Sequence, residues 1–229
     1  MGLFSPQLCG YSRLLKRFKR LGALMKELSR KLAGEKTDTL KILDTVPVPL
    51  LVGVRAYRSM VVRISQRYRI RPDWGYCAAK KTYYFGFKMV VLTEGDKILD
   101  YTLVPASKSE QAAWMALVSR ANLSGIKVFG DKGFQMNTQD KHNLVSRDIH
   151  LEAIPRTNMK KIAIPDLKQK KRLRKSIETS FSQLVGLFGL THFVLRSIAG
   201  FASGLIRKVL AYNFSRYLAQ IDKQILLAI

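Results

Sequence analysis

Residues 83–104 read YYFGFKMVVLTEGDKILDYTLV, two apolar, aromatic and β-branched runs on either side of Glu94-Gly95-Asp96. Gly95 between two acids is a turn signal, so 83–92 and 97–104 are expected to pair as an antiparallel hairpin. Upstream, TLKILDTVPV (39–48) is a further β-branched run, closed by Pro47 and Pro49, and it adds a third strand to the hairpin. Downstream, Ser107 or Ser109 can cap a helix over SEQAAWMALVSRANL, in which Ala112, Met115, Ala116 and Leu123 fall near one face. IKVFG (126–130) reads as a short buried strand, 131–146 as a loop and helix, and HLEAIP (150–155) as another strand. A basic segment at 156–175 then precedes a long helix carrying Ile177, Phe181, Leu184, Leu187 and Phe188.

The order β-β-β-α-β-α-β-α predicts an α/β domain, a mixed β-sheet flanked by helices, which is the element order of the ribonuclease-H-like fold. Three segments lie outside it. Residues 11–33, YSRLLKRFKRLGALMKELSRKLA, form a basic amphipathic helix within an N-terminal segment 1–38. Residues 55–82, rich in Arg, Tyr and Ser, read as an insertion after the first strand of a domain spanning 39–195. A last helix occupies 196–221 within a C-terminal segment 196–229, where Phe201, Leu205, Val209, Tyr212 and Tyr217 are expected to pack on the domain.

Forty Lys and Arg against 16 Asp and Glu leave the 229-residue chain with a formal charge of +24. A field of that sign concentrates phosphates and gains affinity by releasing their counterions; charge alone leaves nucleic acid, an anionic membrane surface and ribosomal RNA open, and favours nucleic acid. With 47% hydrophobic residues the chain can bury a core and is no disordered polycation. Two cysteines, Cys9 and Cys77, are too few for a disulfide framework or a cysteine zinc site, and they suit a reducing cytoplasm. The apolar C-terminus is interrupted by Arg207, Lys208, Arg216, Asp222 and Lys223, so no membrane span is expected.

Because acids are scarce, each can be weighed. Glu94 and Asp96 make a turn, Glu110 suits the first turn of its helix, and Asp100 on the hairpin is expected to face solvent. Three acids are harder to explain structurally. Asp44 interrupts an apolar strand on the face of Ile42 and Val46, Asp131 stands at the carboxyl end of IKVFG, and Glu178 borders the apolar stripe of RKSIETSF. Carboxylates converging from separate elements are what a pair of Mg²⁺ or Mn²⁺ ions needs, and two such ions can stabilise both oxygens of a phosphodiester exchange. The surrounding Lys and Arg would hold the phosphate chain.

ILDTVPVP around Asp44, AAKKTYYFGFKMVVL at 78–92, GDKGF around Asp131 and RKSIETSFSQLVGLFG around Glu178 resemble bacterial insertion-sequence transposases of the DDE type. The resemblance extends over roughly residues 10–220, and the order of the motifs, 87 residues from Asp44 to Asp131 and 47 from there to Glu178, makes it specific. It implies a metal-dependent enzyme of DNA transposition: water attacks at the element's terminal inverted repeats, and the freed 3′-hydroxyl attacks target DNA. Asp44, Asp131 and Glu178 match the metal-binding triad. Arg174 matches a basic residue one helical turn before the Glu, there either to reach a phosphate or to pair with Glu178. Lys171 and Val185 stand where some relatives carry Tyr and Lys. Lys132, Lys88, Lys80, Lys81, Lys171 and Lys175, with Arg17 and Arg20 of the N-terminal helix, are candidate DNA backbone contacts.

Related transposases carry a longer N-terminal part for end recognition, so a truncated chain is one expectation. The competing readings are a catalytically idle DNA-binding remnant, a hydrolysis-only nuclease of the same fold, and a basic RNA-binding protein that would need none of the three acids. Synapsis of two ends implies a homodimer, and the family implies action on bacterial DNA at the nucleoid.

Overall fold

The computed structural model describes residues 10–34, 40–52, 71–155, 165–193 and 198–228. Their six strands form one sheet: β1 (Lys41–Val52), β2 (Asp73–Cys77), β3 (Thr82–Glu94), β4 (Lys97–Pro105), β5 (Ile126–Gly130) and β6 (Ile149–Ala153). One edge of β3 takes β1, and the other is shared end to end by β2, alongside Thr82–Gly86, and β4, alongside Phe87–Glu94. These pairings are antiparallel, whereas β1, β5 and β6 run parallel. The expected mixed sheet flanked by helices is therefore present.

Around it lie α1 (Tyr11–Arg20), α2 (Gly22–Ala33), α3 (Glu110–Ala121), α4 (Thr138–Val145), α5 (Leu167–Gly186) and α6 (Ile198–Ala228). Strand alternation divides the apolar side chains between two layers. Leu43, Val90 and Leu92 pack with Trp114, Leu117, Val118 and Leu144 from α3 and α4. Val46, Val48, Phe87, Met89 and Val91 pack with Leu184, Phe201, Leu205, Val209 and Tyr212 from α5 and α6. The inner half of α6 is thus core, as its sequence predicts, and Tyr217 is exposed. At its centre the buried Asn213 donates to Ser29 O at 3.0 Å and Ile98 O at 2.8 Å and accepts from Ile98 N at 3.0 Å. One amide thereby ties α6 to α2 and β4.

Several expected boundaries move, each for a local reason. β1 does not stop at Pro47 but continues through Pro49 to Val52. Its pairing with β5 covers only Lys41–Leu43, so farther along, among the described residues, β1 has β3 as its one partner. A residue lacking an N–H is tolerated on such an edge. A register shift between Pro49 and Leu51 brings the backbones so close that a Cβ on Gly86 would lie 2.4 Å from Val48 O. Residues 55–70 of the expected insertion lie outside the described residues, as does the start of the basic segment at 156–164. Residues 73–77 of the same stretch form the edge strand β2, paired with β3. DWGYC carries Trp74 and Tyr76 at strand spacing, but Asp73 and Gly75 keep it from the continuous β-branched run by which the other strands are read.

The N-terminal helix is two helices, broken at Leu21 (φ −87°, ψ 7°) before the poor helix former Gly22. α5 begins at Leu167 and takes in the basic run through Lys175, since Lys, Arg, Gln and Leu all favour helix. It ends at Gly186, leaving Leu187 75% exposed outside the core. Asp100, expected to face solvent, is only 6% exposed and accepts from Arg30 at 2.5 Å, Arg120 at 2.6 Å and Tyr101 N at 2.7 Å, with Lys26 at 3.6 Å. It anchors α2 and α3 to β4.

Candidate active site

The parallel register of β1 and β5 ends at Leu43 opposite Gly130. Asp44 and Asp131 are each the next residue, so both stand at the point where the two strands part, the position at which parallel sheets open toward ligands. Asp44 is 15% exposed, and its Oδ1 accepts from Thr45 N at 2.8 Å. Asp131 caps a single 3₁₀ turn, Lys132–Phe134, with Oδ1 accepting from Lys132 N at 2.7 Å. Gly130 fits beneath the Phe134 ring, where a Cβ would meet Cδ2 at 2.9 Å. α5 crosses above this point because Ile177 is buried with Ile42 and Phe129. The helix carries Glu178, 61% exposed, and one turn earlier Arg174.

The Arg174 guanidinium reaches all three acids. Its Nη2 lies 3.2 Å from Asp131 Oδ2 and 3.9 Å from Glu178 Oε1, and its Nε lies 3.9 Å from Asp44 Oδ2. That Nε is buried without a hydrogen-bond partner. The geometry thus goes beyond the simple i,i+4 pair that spacing suggests. Burial pushes the Asp44 carboxyl up to about 6; the Thr45 amide and Arg174 oppose the shift, while Glu110 and Asp131 add to it.

Glu110 is the residue that sequence reasoning missed. It does occupy the first turn of α3, capped by Ser109, whose side chain accepts from Ala112 N. Its carboxylate also accepts from Thr45 Oγ1 at 3.2 Å, and a Cβ on Gly133 would fall 1.4 Å from its Oε2. It bridges the residue after Asp44 and the turn after Asp131. No local pattern announces a contact that crosses from one helix to a turn 23 residues later.

Of the expected phosphate contacts, Lys132 is exposed beside Asp131, and Lys171 and Lys175 are exposed on α5 with Arg174. Lys88 is half-buried and donates to Lys108 O at 2.7 Å; burial lowers its pKa, with Glu110 acting the other way. Lys80 and Lys81 sit at the tip between β2 and β3. Along β3 that tip is roughly 30 Å from Val91, the register partner of Asp44. Arg17 and Arg20 are exposed on α1, which packs on α6.

The donor set is entirely carboxylate oxygen, which suits a hard divalent ion, and it already converges on a positive charge. Among the described residues, no three His, Cys, Asp or Glu side chains stand close enough to hold one ion as they are arranged. In this site a guanidinium lies among the acids instead. Residues of that chemistry fit Mg²⁺ or Mn²⁺. No helix among the described residues is long and apolar enough to cross a membrane.

The family model of the transposase DDE domain matches residues 59–214, more than half of the chain. Asp131 and Glu178 fall within the match, and Asp44 precedes it. No curated protein matches the chain. The chain belongs to the family of transposases with a DDE domain, enzymes of DNA transposition.

Proposed function

From that membership we propose that this protein cleaves DNA at the ends of its element and joins the freed ends to target DNA, using divalent metal ions held by Asp44, Asp131 and Glu178. The observation that carries the reading is the convergence of acids from β1, the end of β5 and α5 around one cationic centre. When bound, Mg²⁺ or Mn²⁺ supplies Lewis-acid stabilisation of the charge that develops on the phosphodiester.

The chain's own residues do the rest. The register of β1 and β5 fixes Asp44 and Asp131 side by side, and Ile177 fixes the height at which α5 delivers Glu178. The two backbone amides of Thr45 and Lys132 each hold one carboxylate oxygen, leaving the other free to face the centre. Lys132, Lys171 and Lys175, exposed nearby in the chain, are suited to hold DNA phosphates without reading bases. Lys80 and Lys81, at the far tip of β3, lie too far from the acids for the scissile phosphate and suit flanking duplex, as do Arg17 and Arg20, exposed on α1. Joining two ends calls for two copies of the chain.

The test is cleavage and joining of a labelled duplex carrying the element's ends, with Mg²⁺ or Mn²⁺, for the wild type, Asp131→Ala and Glu178→Ala. Metal-dependent joined products that both substitutions abolish support transposition. Nicked but never joined DNA indicates hydrolysis alone, and binding without any cleavage indicates an idle remnant.

A further inference from the structure

Arg174 has two features that an ordinary surface ion pair lacks. It addresses three carboxylates from three separate elements, and its Nε is buried with no hydrogen-bond partner. A guanidinium at home in its final position would direct that N–H at an acceptor, because an unmade buried hydrogen bond is costly. Arg174 instead stands at 3.9 Å from two of its three acids, too far for hydrogen bonds and close enough for Coulomb attraction. It stands nearest Asp131, at 3.2 Å, and within 3.9 Å of the other two.

We propose that Arg174 is a stand-in cation: it holds Asp44, Asp131 and Glu178 together while the site is free of metal and gives way when divalent ions enter. This inference rests on the metal-site reading above and adds a competition to it. Three carboxylates brought together repel one another, and Asp44 is also desolvated, so a metal-free site with no internal cation would spread or take up protons. One guanidinium on a long side chain neutralises part of that charge and keeps the acids converged. The cost is that every entering ion must displace it.

Competition makes two predictions that a purely structural arginine does not. Arg174→Gln, which removes the charge and keeps a polar side chain, binds Mn²⁺ at least about tenfold more tightly than the wild type in a titration followed by electron paramagnetic resonance without DNA. The same variant melts at a lower temperature than the wild type without metal and gains more from saturating Mn²⁺. Arg174→Lys retains the charge, and its Mn²⁺ affinity stays near that of the wild type. This second variant, with a far-ultraviolet circular dichroism spectrum for each, guards against a Gln variant that fails to fold. Equal or weaker Mn²⁺ binding by folded Arg174→Gln overturns the inference and leaves the metal-site reading intact. Failure of the wild type and both variants to bind Mn²⁺ overturns both.

Discussion

Asp100 and Asp44 are both strand acids set among apolar neighbours, and both are largely buried, yet the fold treats them in opposite ways. Asp100 receives two arginines at 2.5 and 2.6 Å, a lysine at 3.6 Å and a backbone amide. Burial would raise its pKa, but Lys26, Arg120 and Arg30 outweigh burial and hold the carboxyl below its ordinary value. Asp44 has one backbone amide and an arginine no closer than 3.9 Å, and burial prevails, to about 6. A carboxylate that serves the structure is fully compensated. Asp44 is left short of positive charge, and on the proposed function a metal ion would supply the shortfall.

The largest effect that separates the two regions is on chemistry. Asp131→Ala or Glu178→Ala is expected to cut metal-dependent cleavage by roughly 10³-fold or more while DNA retention in a gel-shift assay persists. Asp100→Ala leaves the site intact, and its cost is in stability. Removing a buried acid strands Lys26, Arg30 and Arg120, although the two arginines are partly exposed and can rehydrate, so a loss of about 2–3 kcal/mol in urea unfolding is expected.

Asp44→Asn should do the reverse in metal-free protein. Its folded pKa of about 6 lies above the ordinary value of 3.8, so the charged form is the one that burial penalises. The penalty is absent where both folded and unfolded chains are protonated, below about pH 4, and is complete above about pH 6. A gain of about 1–2 kcal/mol is therefore expected near pH 7 and none near pH 4, read from urea unfolding at the two values. For Asp100, whose pKa is lowered, the stabilisation is present above about pH 4 and is lost as pH falls through its folded value.

The smallest effect is on metal binding by the wild type. As pH falls through about 6, Asp44 takes up a proton and Mn²⁺ affinity should weaken by up to about tenfold per pH unit, measured by titration at fixed ionic strength. Affinity unchanged between about pH 5 and pH 7 would remove Asp44 from the ligand set.

The contrast also marks how far a sequence can be read. The hairpin, β5, β6 and the three acids that converge on Arg174 are legible because each depends on a local pattern: alternation, a turn triplet, an acid at the end of an apolar run. Asp100 is not, since KILDYTLV reads equally well with either face outward, and the residues that compensate Asp100 arrive from α2 and α3. Glu110 is hidden for the same reason. Its place at a helix start already accounts for it, and its contacts with Thr45 and Gly133 exist only after three elements assemble. β2 and the passage of β1 through Pro47 and Pro49 depend on which strand edges stay free, which is a property of the sheet and not of either segment.

Asn213 carries a consequence for the order of assembly. It contacts Ser29 across 184 residues and Ile98 across 115. A chain emerging from the ribosome can form β3, β4 and α3 early, from neighbours in sequence, and α2 can meet β4 through Asp100, but the seat of α2 is complete only once residue 213 has been made. The full docking of α2, against both β4 and α6, is then among the last steps of folding. It should be the first to be lost when α6 frays, and amide exchange should report the two helices opening together.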